Sequence, residues 1–413
     1  MTTQKTNTFS KQQLFLILVA SAGYFVDIYD LILFNVVKKE SLLALKVPSD
    51  QLLSTEINLF NWQMAGMLIG GILWGILGDK IGRIKVLFGS ILMYSLANIA
   101  NAFVPNLELY ALVRLIAGIG LAGELGAGIT LVVETMDKEI RGYGTMIIVT
   151  FGALGAVVAA LVGAELGWKN AYLVGGGLGL LLLLMRVGTL ESSMFKNLHQ
   201  APVSKGNFFI LFQDSKRFFK YLNCIFIGLP IWFMIGVLVS LSEKFAAVLQ
   251  VQGDVKTSTA IMFAYIGLSV GDLLSGALSQ VLRSRKKVVF AYLIISVCII
   301  CIYLFIQNID SNLFYFLCFL LGAGTGYWAL FVTIASEQFG TNIRSTVTNT
   351  VPNFVRGSVI PITLSFKYLA DPSRLGIVYS ALLIGAICMI LAFISLSRLQ
   401  ETFSKDLDYF ETA

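Results

Sequence analysis

The sequence has little charge and very few of the residues that bind metals or relay protons through imidazole. Of its 413 residues only 13% are charged, and it contains one histidine, His199, and five cysteines. Cys298 and Cys301 form a C-x-x-C pair, but they lie in an apolar run without further metal or redox partners. No nucleophile, base and orienting residue occur at usable spacing. The sequence therefore predicts no metal site, no cofactor and no enzyme activity.

Hydrophobic residues make up 57% of the chain, more than a soluble domain of this length can bury. Apolar runs of about 20 residues, long enough to cross a hydrocarbon layer of about 30 Å, recur along the whole chain. The first run has no cleavage site behind it, so we expect it to be retained. The sequence thus predicts an all-α membrane protein with twelve transmembrane helices. The predicted spans 1 to 12 are 13–37, 59–78, 86–104, 107–133, 143–166, 171–190, 219–241, 258–281, 288–306, 312–337, 346–368 and 375–397.

Basic residues are distributed unequally between the two sides of the predicted bundle. About two thirds of the 30 lysines and arginines lie in the termini or in loops on the same side as the termini. Because positive charge resists translocation, we expect both termini in the cytoplasm and the chain in the bacterial inner membrane. Topology explains the formal net charge of +6, so the bilayer is the expected macromolecular partner and nucleic acid is not.

The two halves of the chain repeat each other. Segment 134–141, ETMDKEIR, aligns with segment 337–344, EQFGTNIR, at an offset of about 203 residues. Each segment follows the fourth helix of its half. This indicates two pseudo-symmetric six-helix bundles, predicted as residues 1–190 and 218–413 with a cytoplasmic linker at 191–217. Such a repeat places a substrate site between the halves near the bilayer midplane and moves it by rocking.

Two motifs carry a resemblance to a known family. Residues 75–85, GILGDKIGRIK, resemble the signature loop between the second and third helices of the major facilitator superfamily. Residues 114–118, RLIAG, are similar to its Arg-x-x-x-Gly element. Ile84 departs from the pattern, because a second basic residue often follows the arginine. The resemblance implies alternating access, no cofactor and a monomer.

The resemblance also implies a cytoplasmic gate around the signature loop. Charges at helix ends there can pair with one another and with the dipoles of adjoining helices. Such a cluster would hold the cytoplasmic side shut in the outward-facing state. The alternative is that these charges only set topology. The expected gate residues are Asp79, Arg83, Glu134, Arg141, Glu337 and Arg344.

Within the superfamily, two segments resemble the metabolite:proton and phosphate:proton symporters. Residues 23–30, GYFVDIYD, are similar to their first helix, which carries two acids three residues apart. Residues 120–126, GLAGELG, are similar to their fourth helix, in which an acid follows paired glycines. The resemblance therefore implies proton coupling through acids in spans 1 and 4.

Charged residues inside spans are functional candidates, because each costs about 2.5–3.5 kcal/mol to insert. Asp27 and Asp30 share a helix face with Tyr24, and two close acids cannot both ionise easily, so one is expected to hold a proton. We predict that Asp27 accepts the proton, with Arg114 as the switchable partner that the resemblance implies. A permanent Asp27–Arg114 ion pair is the alternative. Glu124 is expected to face the cavity as a second proton or substrate group.

Span 11 carries a polar stripe that includes Asn349, Asn353 and Arg356 and is expected to face the cavity. An arginine there suits a carboxylate or phosphate. Asp272, on a similar stripe of span 8 with Tyr265, is an alternative partner that would neutralise Arg356. Tyr327 and Trp328 are either packing residues or platforms for substrate. The expected substrate-binding residues are Tyr24, Tyr265, Asp272, Tyr327, Trp328, Asn349, Asn353 and Arg356.

These observations predict a secondary transporter that takes up a small hydrophilic, anionic metabolite together with protons. Two alternatives within transport remain open, namely a proton-antiport exporter of metabolites or drugs, and an uptake carrier for amino acids, nucleosides or neutral solutes. A solute sensor that has lost transport is a third. The sequence does not name the substrate.

Overall fold

The computed structural model describes residues 10–48, 51–137, 140–186, 206–371 and 373–411. We label its helices α1 to α12 after the predicted spans. The first six are α1 (Lys11–Ala44), α2 (Leu52–Ile81), α3 (Arg83–Asn101), α4 (Leu107–Leu121 and Glu124–Thr135) and the joined α5 and α6 (Arg141–Met185). The rest are α7 (Ser215–Phe226, Leu229–Phe233 and the π-helical turn Met234–Val239), α8 (Thr257–Val281), α9 (Arg285–Phe305), α10 (Ser311–Gly324 and Trp328–Glu337), α11 (Arg344–Gly357 and Val359–Leu369) and α12 (Gly376–Arg398). Short helices, Ile210–Gln213 and Ser242–Val248, flank α7.

Ten helices in the described ranges are long and apolar enough to cross a membrane. Two features reconcile this number with the twelve predicted spans. The 45-residue element Arg141–Met185 contains both α5 and α6, which meet at Gly167, where φ is +72°. The first part of helix α11, Arg344–Gly357, is polar, so α11 lacks an apolar stretch of the length needed to be counted.

Several predicted boundaries are wrong in detail. Helix α1 continues to Ala44, beyond the predicted end at residue 37, and α2 begins at Leu52. Of the predicted linker, residues 191–205 lie outside the described ranges, and its last residues already belong to α7, which begins at Ser215. The boundaries of the two halves stay a prediction.

The two halves are in tight contact on the side that carries the C-terminal tail. Helix α2 packs against α11, and α8 packs against the Arg141–Met185 element. At Gly126 a Cβ atom would lie 2.3 to 2.6 Å from atoms of Asn349, so only glycine permits this approach. On the opposite side, a vestibule of about 530 Å³ lies between the ends of α1 and α2 and those of α7 and α8.

The surface around the helices is apolar. Large side chains such as Phe103, Leu184 and Val281 are 69%, 71% and 77% exposed. A soluble protein rarely exposes so much contiguous apolar surface, whereas lipid covers it in a bilayer. Six charged side chains in the spans are instead buried between helices, and they define the candidate site: Asp27, Asp30, Arg114, Glu124, Asp272 and Arg356.

Candidate functional site

An ion pair joins the two halves at the centre of the bundle. Arg356 of α11 lies with its Nη2 atom 3.5 Å from Oδ2 of Asp27 in α1. Its Nη1 donates a hydrogen bond to Oδ1 of Asn353 at 3.3 Å. Arg356 and Asp27 are both fully buried. Arg114 contacts Gln63 and Tyr172 instead, so the alternative of a permanent Asp27–Arg114 ion pair is wrong, and a switch between the two arginines stays a prediction.

Aromatic rings surround this ion pair. The Arg356 guanidinium carbon is 5.9 Å from the ring centroid of Trp232 and 5.7 Å from that of Trp328. Tyr24 and Tyr265 line the same crevice as the two tryptophans. Its volume is about 10 Å³, which is about the space that one water molecule occupies. The crevice must therefore widen before a metabolite can enter.

The central ion pair leaves polar atoms unsatisfied. Oδ1 of Asp27 and Nε of Arg356 have no hydrogen-bond partner among the described residues. A buried polar atom without a partner costs about 1–3 kcal/mol. These two atoms therefore favour binding of water or of a polar ligand group beside the ion pair.

Helix breaks at this level position the aromatic and polar groups. Helix α10 is interrupted between Gly324 and Trp328, so that Trp328 begins its second part. Helix α11 contains Pro352 and is interrupted at Ser358, two residues after Arg356. Helix α7 has a π-helical turn directly after Phe233. Proline and π-helical turns disturb the regular hydrogen-bond ladder, and π-helical turns often occur at functional sites.

Asp272 does not neutralise Arg356. Its Oδ1 accepts a hydrogen bond from the backbone N–H of Ala329 at 2.9 Å. Ala329 lies in the first turn of the second part of α10, where N–H groups lack partners within the helix. Asp272 therefore caps this helix, and the alternative of an Asp272–Arg356 pair is wrong.

Arg114 belongs to a separate polar cluster within the first half. It hydrogen-bonds the side chain of Gln63 and lies 3.4 Å from the hydroxyl of Tyr172. Its guanidinium carbon is 4.6 Å from the ring centroid of Phe34. It interacts electrostatically with Asp30. Asp30 also interacts electrostatically with Asp27, and Asp27 with Glu124, so the predicted proton-coupling residues remain electrostatically linked.

Glu124 pairs with Arg186, which hydrogen-bonds its carboxylate. Both side chains are buried, and Glu124 lies directly against Gly23 of α1. The expectation that Glu124 faces the central crevice is therefore wrong, because its carboxylate contacts Arg186 and it does not line the crevice. Arg186 directly follows Met185, the last residue of α6. In the sequence, this position at the end of a helix does not indicate that the Arg186 side chain is buried.

The remaining predicted substrate residues support the crevice rather than line it. Nδ2 of Asn353 donates to the backbone oxygen of Ala122 in the other half at 2.8 Å. Asn349 donates to the backbone oxygen of Ser345 at 2.9 Å, near the interface with Gly126. The Tyr327 hydroxyl donates to the backbone oxygen of Ile227 at 3.0 Å. Asn353 therefore orients Arg356, and Tyr327 is a packing residue.

The predicted gate residues form two clusters with the same plan. In the first, Oε1 of Glu134 lies 2.9 Å from Nη2 of Arg83 and 3.2 Å from Nη1 of Arg344. Glu134 thus pairs with one arginine of its own half and with one arginine of the opposite half. The second cluster repeats this arrangement with Glu337, Arg285 and Arg141, in which each arginine Nε lies 2.8 Å from the Glu337 carboxylate.

Asp79 adds a further contact between the halves. Its carboxylate accepts hydrogen bonds from the backbone N–H groups of Ser345 and Thr346 at 3.1 and 2.8 Å, and from the Thr346 hydroxyl at 2.6 Å. These donors lie in the first turn of α11. An acid of α2 therefore caps a helix of the other half.

The C-terminal tail, residues 399–411, crosses this face and was not predicted to contribute. The backbone oxygen of Lys405 accepts a hydrogen bond from Nη2 of Arg141 at 2.8 Å, and that of Leu407 accepts one from Arg344. The backbone N–H of Thr341 donates to Tyr409 at 2.8 Å. The tail thus contacts one arginine of each gate cluster.

Comparisons with known proteins give a consistent result. Residues 20–359 match the family description Major Facilitator Superfamily. A protein of Bacillus subtilis named as a niacin/nicotinamide transporter is 27% identical over 79% of this chain and 83% of its own length. A niacin transporter of Acinetobacter baylyi is 41% identical, but the match covers only 27% of this chain and 26% of that protein. The solved structure of the proton:xylose symporter XylE has the same fold, with a TM-score of 0.71, 16% identity, and coverage of 96% of this chain and 97% of that one.

Proposed function

Because the chain belongs to the Major Facilitator Superfamily and is therefore a membrane transporter rather than an enzyme, we propose that it imports a small aromatic monocarboxylate together with a proton. Relatives named as a niacin transporter and as a benzoate transport protein support this class of substrate, since niacin and benzoate each carry one carboxylate on an aromatic ring. The region of the crevice supplies the matching chemistry, which is one arginine beside a pair of tryptophan rings.

The observation that carries the proposal is the position of Arg356. A guanidinium presents paired N–H donors that fit a carboxylate, and it is always charged. Trp232 and Trp328 pack edge to face and both lie within 6 Å of it, where they can pack against the flat ring of a substrate. An aliphatic anion or a neutral aromatic compound would use only half of this arrangement.

The Asp27–Arg356 pair suggests how a proton is coupled to the substrate. The carboxylates of Asp27 and of the substrate compete for the same guanidinium, because both are anions within a buried crevice. Protonation of Asp27 removes its charge and releases Arg356 to bind the substrate. Loss of the proton restores the ion pair and displaces the substrate. Binding of one proton and one carboxylate is therefore favoured over binding of either alone.

The gate clusters fit the alternating-access mechanism of the family. The halves are in contact around Glu134 and Glu337, whereas the vestibule of about 530 Å³ lies on the opposite side. We propose that the gate faces the cytoplasm, with both termini on that side of the inner membrane, and that the protein acts as a monomer. The unequal distribution of basic residues supports this orientation.

Ligand binding to the purified protein tests the substrate class. Nicotinate and nicotinamide share the pyridine ring, and only nicotinate has a carboxylate. A ligand at 100 times its Kd stabilises the folded state by about 2.7 kcal/mol, so nicotinate is expected to raise Tm and nicotinamide is not. Arg356→Gln is expected to abolish the shift, and Arg374→Gln, which removes an exposed arginine, to retain it. Equal shifts with both compounds would refute the carboxylate site.

Uptake into proteoliposomes tests the coupling. In the native protein, an inward proton gradient is expected to drive accumulation of nicotinate. Asp27→Asn leaves Arg356 without its competitor, so this variant is expected to bind and exchange nicotinate but not to accumulate it. Accumulation by Asp27→Asn at the native level would exclude Asp27 as the coupling residue.

A further inference from the structure

A second cavity lies on the face that carries the gate, outside the region where the halves meet. Its volume is about 580 Å³, and it lies between the beginning of α7, the end of α12 and the C-terminal tail. We call it the basic pocket. It does not belong to the proposed transport path, which runs between the halves.

The charge in this pocket is unbalanced. Its lining contains five basic side chains, Lys216, Arg217, Lys220, Arg398 and Lys405, and two acidic ones, Asp214 and Glu411. Glu411 pairs with Arg217 at 3.4 Å and with Lys220 at 3.5 Å, and Asp214 accepts a hydrogen bond from the Arg217 backbone. The two acids are thus engaged, and an excess of positive charge remains.

Lys405 shows the effect of this excess. Burial, together with the charge of the neighbouring Lys220, lowers the pKa of Lys405 below its usual range. A bound anion would relieve the repulsion between these amino groups. Lys216 and Arg398 line the pocket and are exposed to solvent. Their side chains can therefore reach such an anion without breaking a buried contact.

The pocket adjoins the part of the surface expected to meet lipid. Phe219, which lines it, is 55% exposed, and the nearby Phe209 and Phe212 are 73% and 49% exposed. Exposed phenylalanine rings beside basic residues are typical of amphipathic helical segments that lie at the level of the lipid headgroups.

We propose that the basic pocket binds the phosphate group of an anionic phospholipid in the adjacent leaflet. The lipid tails would lie along the exposed aromatic rings, and the phosphate would lie among Lys216, Arg398 and Lys405. On the proposed orientation this is the cytoplasmic leaflet, and the site is independent of the substrate.

Occupancy of this site bears on the gate through the tail. Gln400, Lys405 and Glu411 form one wall of the pocket, and the backbone oxygen of Lys405 accepts a hydrogen bond from Arg141 of the second gate cluster. A phosphate that offsets the repulsion around Lys405 therefore holds the tail in place and favours the closed gate.

Native mass spectrometry of the full-length protein tests the site. With equal amounts of phosphatidylglycerol and phosphatidylcholine, we expect preferential retention of one phosphatidylglycerol. Each basic residue near a membrane contributes about fivefold to the affinity for anionic lipid, so Lys216→Gln/Arg398→Gln is expected to weaken this binding about 25-fold. The matched control, Lys85→Gln/Lys287→Gln, removes two exposed basic residues that do not line the pocket and is expected to bind as the native protein does.

Three results would overturn the proposal. The first is equal retention of the two lipids by the native protein, and the second is equal weakening in the pocket and control variants. The third is displacement of phosphatidylglycerol by soluble glycerol 3-phosphate at the same concentration, which would indicate a free phosphate compound instead of a lipid. Hydrogen exchange of tail residues 405–411 provides a further measurement, which is expected to slow when phosphatidylglycerol is added.

Discussion

The carboxylate of Asp79 offers the clearest test of how the halves are held together. It belongs to α2, yet it accepts three hydrogen bonds from Ser345 and Thr346 at the beginning of α11. Rocking of the halves must break all three bonds. Replacement by asparagine keeps the size of the side chain and one acceptor oxygen, but it removes the negative charge from the helix N-terminus.

The size of the effect follows from these contacts. A charged group at a helix N-terminus contributes up to about 2 kcal/mol in a partly buried setting, and hydrogen bonds to charged groups contribute about 1.5–3 kcal/mol each. Because asparagine still accepts one bond, we expect Asp79→Asn to destabilise the closed gate by about 2 kcal/mol. This corresponds to an increase of about 30-fold in the ratio of open to closed molecules.

Hydrogen exchange in lipid nanodiscs measures this change. The informative amides are those at the beginning of α5, residues 141–146, which are protected by closure of the second gate cluster rather than by Asp79 itself. They are expected to exchange about 30-fold faster in Asp79→Asn. Asp310→Asn is the control, because Asp310 caps α10 by accepting bonds from Asn312 and Leu313 within one half. Unchanged exchange at 141–146 in Asp79→Asn, or equal acceleration in the control, would refute the reasoning.

Three further variants separate structural from transport roles. Glu124→Gln removes the carboxylate that the buried Arg186 contacts, so it is expected to cost about 3–5 kcal/mol and to lower Tm strongly, while Glu124→Gln/Arg186→Met recovers most of the loss. Asp272→Asn weakens the cap on α10 and is expected to lower Tm while changing nicotinate affinity less than twofold, whereas a large loss of affinity would return Asp272 to the substrate site. Burial would raise the pKa of Glu401, but hydrogen bonds from Ser284 and from neighbouring backbone N–H groups lower it; its stabilising effect is therefore present above the unfolded value of about 4.3 and is lost as pH falls through the lower folded pKa. At pH 7 the native protein is thus expected to have a higher Tm than Glu401→Gln, and in strong acid this difference is expected to disappear.

Much of the architecture could be predicted from the sequence. The all-α membrane fold of twelve helices and the superfamily are confirmed, because apolar runs of membrane length and the signature loop are local properties of the chain. The gate residues could be named for the same reason, since Glu134 and Glu337 stand in matching segments. Arg285 was not among the predicted gate residues, although it lies in the basic turn at residues 283–287, which corresponds to residues 79–85 of the first half. Its role required the fold to show which residue of that basic turn faces Glu337.

The central site was harder to predict, because its partners are far apart in sequence and on different helices. The sequence identified Asp27, Arg114 and Arg356 as buried charges, but charge alone does not say which acid meets which base. Arg114 lies beside Gln63 and Tyr172. Both residues are uncharged, so a search for opposite charges does not identify them as partners of Arg114. The tail was overlooked because its backbone oxygens make the gate contacts, and backbone atoms leave no signal in a side-chain pattern.

The two kinds of site differ in their relation to the internal repeat. An offset of about 203 residues carries Glu134 onto Glu337 and Arg141 onto Arg344, so both halves supply equivalent parts of the gate. The same offset carries Asp27 onto Pro230 and Arg356 onto Ala153, neither of which is charged.

A gate must close evenly between two halves that rock as similar bodies, which favours equivalent gate residues in both halves. A substrate with one carboxylate needs one guanidinium and one competing acid, and a symmetric copy of this pair would place a second arginine and a second acid in the same crevice. The proposed coupling site therefore lies where the sequences of the two halves differ. To change the substrate of such a transporter, the first residues to vary are those within the spans that have no counterpart in the other half.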